Sequence, residues 1–327
     1  MILTALSEPE YQTQVWGRNY AERYRHPIEE YSILRESAGV VYFPGFEYIQ
    51  VTGSDAGSFL HNILTHNNLT MKPGDASPAW LLDSSGKIQT HLHVAHPEAA
   101  SYLLQCFPGM AEQTAKTLDR YIFMEDVALS VQKEWHTFSI QGKKAGMPEG
   151  FEFHNGFPHT WTGEPGFDLV LSEEQLQLAA HELTQQGFAP LGLTALQIRR
   201  VELMQPWYGV DMEAGRNPLV YGKGSAISYT KGCFLGQETI AMTRDRGRPP
   251  ILLCQLESPD AQMPPGPVSL VANQKAIGHL SSVVFSPEYE RPMALATVQY
   301  TKVEKGRTYQ DQNGQDWVIR EVAEWRE

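Results

Sequence analysis

The stretch Lys231-Gly232-Cys233-Phe234-Leu235-Gly236-Gln237-Glu238 sets a thiol between two glycines, close after a lysine and just before a segment of helical length, Thr239 to Asp245. A cysteine so placed feels the free amide donors of a helix start and the cation of Lys231, and both favour the nucleophilic thiolate. The same residues also suit a small side chain buried at a tight turn. Close behind, Arg244-Asp245-Arg246-Gly247-Arg248 gathers cations that can grip an anionic tail or simply form a solvated face. Thr162-Gly163-Glu164 offers a carboxylate in a loop, suited to accept paired hydrogen bonds from an amidine-like ring edge. Arg200 and Glu202 lie near a helix end before Pro206, Tyr208, Gly209 and Asp211, where they are either a surface pair or part of a site.

Three histidines, His91, His93 and His96, fall on and after a strand, the first two on one face because side chains alternate. No carboxylate or cysteine stands beside them at ligand spacing, so they read as hydrogen-bonded or solvent-facing imidazoles, and no metal site is expected. Cys106 and Cys254 sit in apolar runs and read as core. The three cysteines show no CxxC or CxH spacing, which supports neither a disulfide framework nor a zinc knot. Walker loops, a GxGxxG after a strand and a GxSxG elbow are absent from the sequence.

The elements that must position these groups follow from periodicity. Tyrosines 11, 20, 24 and 31 with Val15 predict one or two helices over 9–36. Gly39 to Val51 reads as strand and turn, followed by a helix capped by Ser54 or Asp55. Ala79–Asp83 and Lys87–Ala95 flank Ser84-Ser85-Gly86 as a hairpin, with a third strand at 102–107 and a helix at 109–121. Val127 to Ile140 is a β stretch, Gly142 to Gly166 loops and short strands, and Phe167 to Leu171 a strand. Helices follow over 173–186, with Ser172 as cap, and over 193–204. From Pro249 short alternating strands separated by turns such as Pro264-Pro265-Gly266 and Asn313-Gly314 predict a separate all-β domain.

The chain has 327 residues, enough for two domains or three, and is 42% apolar and 20% charged, a globular composition. Its net charge of −12 and the lack of a basic stripe argue against direct nucleic-acid binding. No apolar run approaches the roughly 18 residues needed to cross a bilayer, and the opening Met1 to Glu10 lacks the features of a signal or transit peptide. With three free thiols, a cytoplasmic location is expected and no membrane partner.

Taken together, these pieces resemble the YgfZ family of folate-binding proteins, relatives of the glycine-cleavage T-protein, an aminomethyltransferase. Lys231 to Glu238 fits the family signature K-G-C-[FY]-x-G-Q-E at every position, supported by Gly39-Val40-Val41, Val51-Thr52-Gly53-Ser54-Asp55-Ala56, Phe59-Leu60, Thr162 to Phe167, Arg200-Val201-Glu202 and Gly278-His279-Leu280. The resemblance implies an α+β, aminomethyltransferase-like folate-binding body of two interleaved subdomains, residues 1–248, plus a C-terminal β-barrel, residues 249–327. It implies tetrahydrofolate, or a derivative, as cofactor, with Glu164 and Arg200 matching pterin-holding positions. Glu202, Tyr208, Gln237 and Arg246 complete the candidate folate-binding set, and Cys233 with Lys231 forms the candidate catalytic pair.

One departure matters. The T-protein carries paired aspartates, one essential to aminomethyl transfer, at the places filled here by Thr90 and His91. Without that acid the glycine-cleavage activity is not expected. The resemblance implies an accessory role in iron–sulfur cluster assembly or repair and in iron–sulfur-dependent tRNA modification, through transient contacts with assembly proteins or client enzymes. The alternatives are a folate-dependent one-carbon transferase or demethylase, and a binding module in which Cys233 only shapes a turn.

Overall fold

The computed structural model describes residue 9 and residues 11–152, 156–222, 226–264 and 268–325. The opening segment 1–8, residue 10, residues 153–155 of the Gly142–Gly166 stretch and Pro265-Gly266 of the expected turn lie outside the described residues. The chain divides into two compact units, one made of Met1–Leu82, Thr90–Leu196 and Ser225–Leu235, the other of Asp83–Gln89, Gln197–Gly224 and Gly236–Glu327.

The first unit opens with a hairpin, β1 (Tyr11–Val15) and β2 (Arg18–Arg23), then α1 (Pro27–Glu36), β3 (Gly39–Phe43), β4 (Glu47–Thr52), α2 (Ala56–Ile63) and β5 (Ala76–Leu82). There follow β6 (Ile88–Glu98), β7 (Ser101–Cys106), α3 (Ala111–Asp119), β8 (Ala128–Gln132), β9 (His136–Gln141), β10 (Gly156–Pro158), β11 (Gly166–Leu171), α4 (Glu173–Gln185), β12 (Ala189–Pro190) and α5 (Leu193–Glu202), whose last turns belong to the second unit.

The opening hairpin corrects the helix expected over 9–24; among the described residues of 9–36 only α1 is helical. Tyrosines at near-helical intervals imitate a 3.6 period, but Trp16 and Gly17 adopt φ of 50° and 69° between the two strands. Positive φ at both central residues is the mark of a two-residue hairpin turn whose twist matches its strands. Trp16 then lies among Tyr20, Phe43, Phe46, Phe107 and Trp161, with ring centroids 5.1–6.5 Å away.

Two five-stranded sheets build this unit, in the orders β10-β11-β9-β3-β12 and β5-β6-β7-β4-β8. The continuous β stretch expected over 127–140 is instead divided between the sheets, β8 in one and β9 in the other. Alternation along the strands decides which face does what. Phe138, Ile140, Leu169 and Val40 face α4 through Leu176 and Leu183. Ile49, Val51, Leu92, Val94 and Leu104 join Phe59 and Leu60 of α2 and Leu118 of α3. The opposite faces are polar, and they bond to each other: Tyr48 to Thr137 (2.5 Å), Gln105 to Asp168 (2.9 Å) and Ser139 to Asp168 (2.5 Å). Buried polar groups persist when paired in this way.

In the second unit, α6 (Gln237–Asp245) precedes β13 (Ile251–Glu257), β14 (Ser269–Ala272), β15 (Lys275–Ser286), β16 (Arg291–Gln299), β17 (Thr308–Asp311) and β18 (Asp316–Val322). These six strands close into a barrel in the order β13-β16-β15-β14-β17-β18. Leu256, Leu270, Leu280, Ala296, Trp317 and Ile319 fill it, with Cys254 fully buried among them. Gln255 of β13 donates to the carbonyls of Val201 (2.6 Å) and Glu202 (2.8 Å) at the C-terminal end of α5. Among the described residues no helix is long and apolar enough to cross a membrane.

Candidate functional site

Segment 226–235 is fastened to the C-terminal end of α2. Thr65 Oγ1 donates to the Ala226 carbonyl (2.5 Å), and the Ser228 amide donates to the Thr65 carbonyl (2.9 Å). Lys231, buried beneath the segment, donates to the carbonyls of Leu64 (2.5 Å), His66 (2.8 Å) and His61, and its ammonium lies 5.0 Å from the Phe234 ring centroid. The His61 and Leu64 carbonyls lie at the C-terminal end of α2, where acceptors lack helical partners, and His66 follows just beyond it. An ammonium has three donors, so all are occupied and none is left for the neighbouring thiol. The lysine thus fastens a loop, and burial pulls its ammonium down to about 7.

Cys233 is an exposed free thiol, whereas Cys106 and Cys254 are buried. Burial raises both buried thiols, Cys254 to about 12. Gly236 caps α6 with φ of 80°. A Cβ there would sit 2.6 Å from the Asp83 carbonyl oxygen and 2.8 Å from Gly86 Cα, so the second glycine of the motif is required by both conformation and space.

Arg200 takes a different place from the one expected of a pterin ligand. It is fully buried, and its five donors are all engaged: Nε and Nη2 donate to Gln197 Oε1, Nη1 to Asp211 (2.7 Å) and to the Gln205 carbonyl, and Nη2 also to Ser282 (2.7 Å). Its face lies 4.4 Å from the Trp207 ring centroid. Glu202 is equally committed, accepting from Ser286 (2.5 Å) and Arg199 (3.0 Å). Tyr208 is buried and donates to the Gln89 carbonyl (3.1 Å). These residues brace the second unit. Gln237, the first residue of α6, is half-buried, and Arg246, just past its end, is exposed. Arg244 pairs with Asp245 at 2.6 Å.

Glu164 belongs to the first unit, where it lines a cleft of about 640 Å³ with Pro78, His93, Met147, His159 and Phe167. Behind that cleft stands a pair of residues that the sequence reading did not single out. Asp168, fully buried, accepts from Ser139, Gln105, Trp161 Nε1 (3.2 Å) and His159 Nδ1 (2.9 Å). His159 stacks on His93 with centroids 3.9 Å apart and planes 15° apart. The signal was present: an aspartate in the centre of the apolar strand Gly166–Leu171 must have buried partners.

Thr90 is 2% exposed and donates to the His91 carbonyl (3.3 Å) and Met110 sulfur (3.7 Å). Burial first, and the neighbouring His159 second, pull His91 down to about 3, so its imidazole is neutral at pH 7. Neither residue is an acid there. His93 Nε2 donates to the Pro158 carbonyl (2.9 Å), and His96 Nδ1 donates to the Met71 carbonyl (3.2 Å). Among the described residues no group of three or more His, Cys, Asp or Glu is arranged to hold a metal ion.

Residues 10–147 match the family model described as the GCVT N-terminal domain. The chain is 27% identical to an aminomethyltransferase of Streptomyces coelicolor, over 88% of this chain and 85% of that protein. It is 25% identical to an aminomethyltransferase of Bacillus cytotoxicus, over 83% and 81% respectively. Its fold is that of the glycine cleavage system aminomethyltransferase T from Bartonella henselae, with a TM-score of 0.81 and 20% identity over 95% of this chain and 93% of that one. The fold is therefore aminomethyltransferase-like, with mixed helices and sheets and a closed six-stranded C-terminal barrel.

Proposed function

We propose that this protein binds tetrahydrofolate and serves iron–sulfur enzymes, including those that modify tRNA, as a cytoplasmic accessory protein without glycine-cleavage aminomethyl transfer. The likeness to aminomethyltransferases over most of the chain supports the folate half of the reading. The other half rests on the KGCFLGQE stretch and on its exposed free thiol, Cys233. The observation that sets this chain apart from an aminomethyltransferase is the acid-free pair Thr90 and His91, one a buried hydroxyl and the other a neutral imidazole.

The residues fit the cofactor in part. Glu164, on a cleft whose described lining has no lysine or arginine, suits the donor-rich edge of a pterin, whereas Arg200 does not fit because its donors are occupied. The folate-binding region is assigned to residues 1–248 and the β domain to 249–327. Bound tetrahydrofolate supplies a carrier for one-carbon units. A lone thiolate cannot hold a cluster that ordinarily takes four ligands, so Cys233 acts transiently, with a partner's cysteines or as a persulfide.

Calorimetric titration with several folates tests the first half. Glu164→Ala weakens binding by about 1–3 kcal/mol, the cost of losing a charged hydrogen-bond partner, and the absence of heat with every folate refutes the reading. Complementation tests the second: Cys233→Ser keeps the fold but fails to restore iron–sulfur enzyme activity in a strain lacking the protein. Robust methylenetetrahydrofolate production with the lipoyl carrier of glycine cleavage would instead establish the alternative, a one-carbon transferase or demethylase.

A further inference from the structure

The two sheets of the first unit meet across their polar faces, and the seam between them is closed at one end by bonds among Tyr48, Gln105, Ser139 and Asp168. Side chains two or four residues apart on a strand share a face. The same faces therefore run on to Gln50 on β4, Ser101 on β7 and Val170 on β11. There a cavity of about 350 Å³ opens between the sheets, at the small end of the range for ligand sites. Trp135, half-buried in the link between β8 and β9, walls one side, its ring centroid 5.8 Å from that of the fully buried Tyr48. Glu174 and Gln175, in the first turn of α4, wall another. None of its described lining residues belongs to the Glu164 cleft.

The polar groups on this cavity are half used. Gln50 Oε1 accepts from Gln132 (3.2 Å) and Gln175 Oε1 accepts from the Ser172 amide (2.9 Å). Each carbonyl is engaged, while neither NH2 group donates to a protein acceptor among the described residues. The Ser101 hydroxyl and the exposed Glu174 carboxylate likewise have no protein hydrogen-bond partner among the described residues. Glu174 is the one ionised group of the described lining, and the amide dipoles at the start of α4 offset its charge.

These features select a ligand by elimination. A carboxylate or phosphate meets Glu174 with no lysine or arginine in the described lining to receive it. An amine satisfies Glu174 but leaves the two NH2 groups without acceptors, and an apolar ring leaves every polar group unpaired. A hydroxyl both donates and accepts. A saturated ring with hydroxyls around its edge answers all of these groups at once, and turns an apolar C–H face to the indole.

We propose that this cavity binds one pyranose ring stacked on Trp135, with Gln50 and Gln175 donating to its hydroxyl oxygens and Glu174 accepting from a hydroxyl. The inference rests on the cavity alone, and on neither half of the proposed function.

The test uses the full-length protein labelled with 15N at its seven tryptophan indoles, the Trp135 signal being the one that Trp135→Phe removes. Methyl β-D-glucopyranoside is the probe, and cyclohexanol, a ring of the same size with a single hydroxyl, is the control. The glucoside moves the Trp135 signal saturably at millimolar concentration, and cyclohexanol does not. Saturation transfer from protein to the C–H protons of the glucoside reads the variants. Gln50→Ala and Glu174→Ala each weaken binding about fivefold, the net loss of one hydrogen bond, and Trp135→Leu abolishes it. Should Trp135→Leu not fold, Glu174→Ala carries the comparison, because that side chain is exposed. Absence of a saturable shift, an equal response to cyclohexanol, or unchanged binding in both alanine variants overturns the proposal. A Trp135 shift caused by tetrahydrofolate and reversed by the glucoside also overturns it, since the cavity then belongs to the folate site. Failure of folate binding with the glucoside response intact refutes the folate reading and leaves this site standing.

Discussion

Arg200→Met separates a bracing role from a ligand-holding one. Arg200 is fully buried, and its partner Asp211, 3% exposed, also accepts from Ser281 (2.6 Å), Ser282 (2.6 Å) and the Trp207 amide (3.0 Å). Methionine retains most of the stem but removes the cation, leaving a buried carboxylate opposed only by dipoles. Removing one partner of a buried ion pair typically costs about 3–5 kcal/mol. Against a usual total of about 5–15 kcal/mol, that is a large share of a unit's stability. Urea unfolding followed by tryptophan fluorescence reads it, with the second unit's transition analysed separately if the two units unfold apart. Arg200→Met/Asp211→Leu recovers much of the loss, because the uncompensated charge is gone. If Arg200→Met is within about 1 kcal/mol of wild type while abolishing folate binding, the bracing assignment is wrong and the guanidinium serves a ligand.

The remaining expectations concern Lys231, the thiols and Gly53. Burial lowers the Lys231 ammonium from 10.5 to about 7, so between those values the unfolded chain holds more protons and stability contributed by this group rises with pH, being lost as pH falls through about 7. Lys231→Met flattens that segment of the stability curve between pH 7 and 9.5; parallel curves for the two proteins would refute it. The same variant leaves the carbonyls of His61, Leu64 and His66 without this donor, which costs about 1–3 kcal/mol. Iodoacetamide labelling of native protein, read by mass spectrometry, finds Cys233 modified well before Cys106 and Cys254, both of which are buried. Gly53→Ala would bring a Cβ to 1.9 Å from the Asp126 carbonyl oxygen at φ of 123°, and costs at least about 2 kcal/mol in urea unfolding.

Local signals carried most of the fold. Ser172 with Gln175 forms the capping box that starts α4, the hairpin of β5 and β6 turns at Gly86 with φ of 74°, and the alternating texture after Pro249 closes as a barrel. What escaped were facts that depend on a partner distant in the chain. Nothing near Val127 to Ile140 says that its two halves join different sheets. The spacing of Arg200 and Glu202 was legible, but not that Ser282 and Ser286, more than eighty residues away, would occupy them. His159 and Asp168 were hidden similarly, since their significance comes from Ser139 on the adjacent strand and Gln105 on the facing sheet.

The order in which the chain visits its two units also bears on biosynthesis. The first unit is interrupted twice, by Asp83–Gln89 and by Gln197–Gly224, and is completed only by Ser225–Leu235. On a ribosome moving at about 5–20 residues per second, the sheets formed by the first 190 residues wait seconds for the segment that Lys231 fastens to α2. During that interval the carbonyls of Leu64 and His66 face water instead of an ammonium, and the nascent chain is open to chaperones at that point. The barrel strands emerge last, so a premature stop between residues 236 and 250 releases a chain with the first unit's sequence complete and none of the barrel.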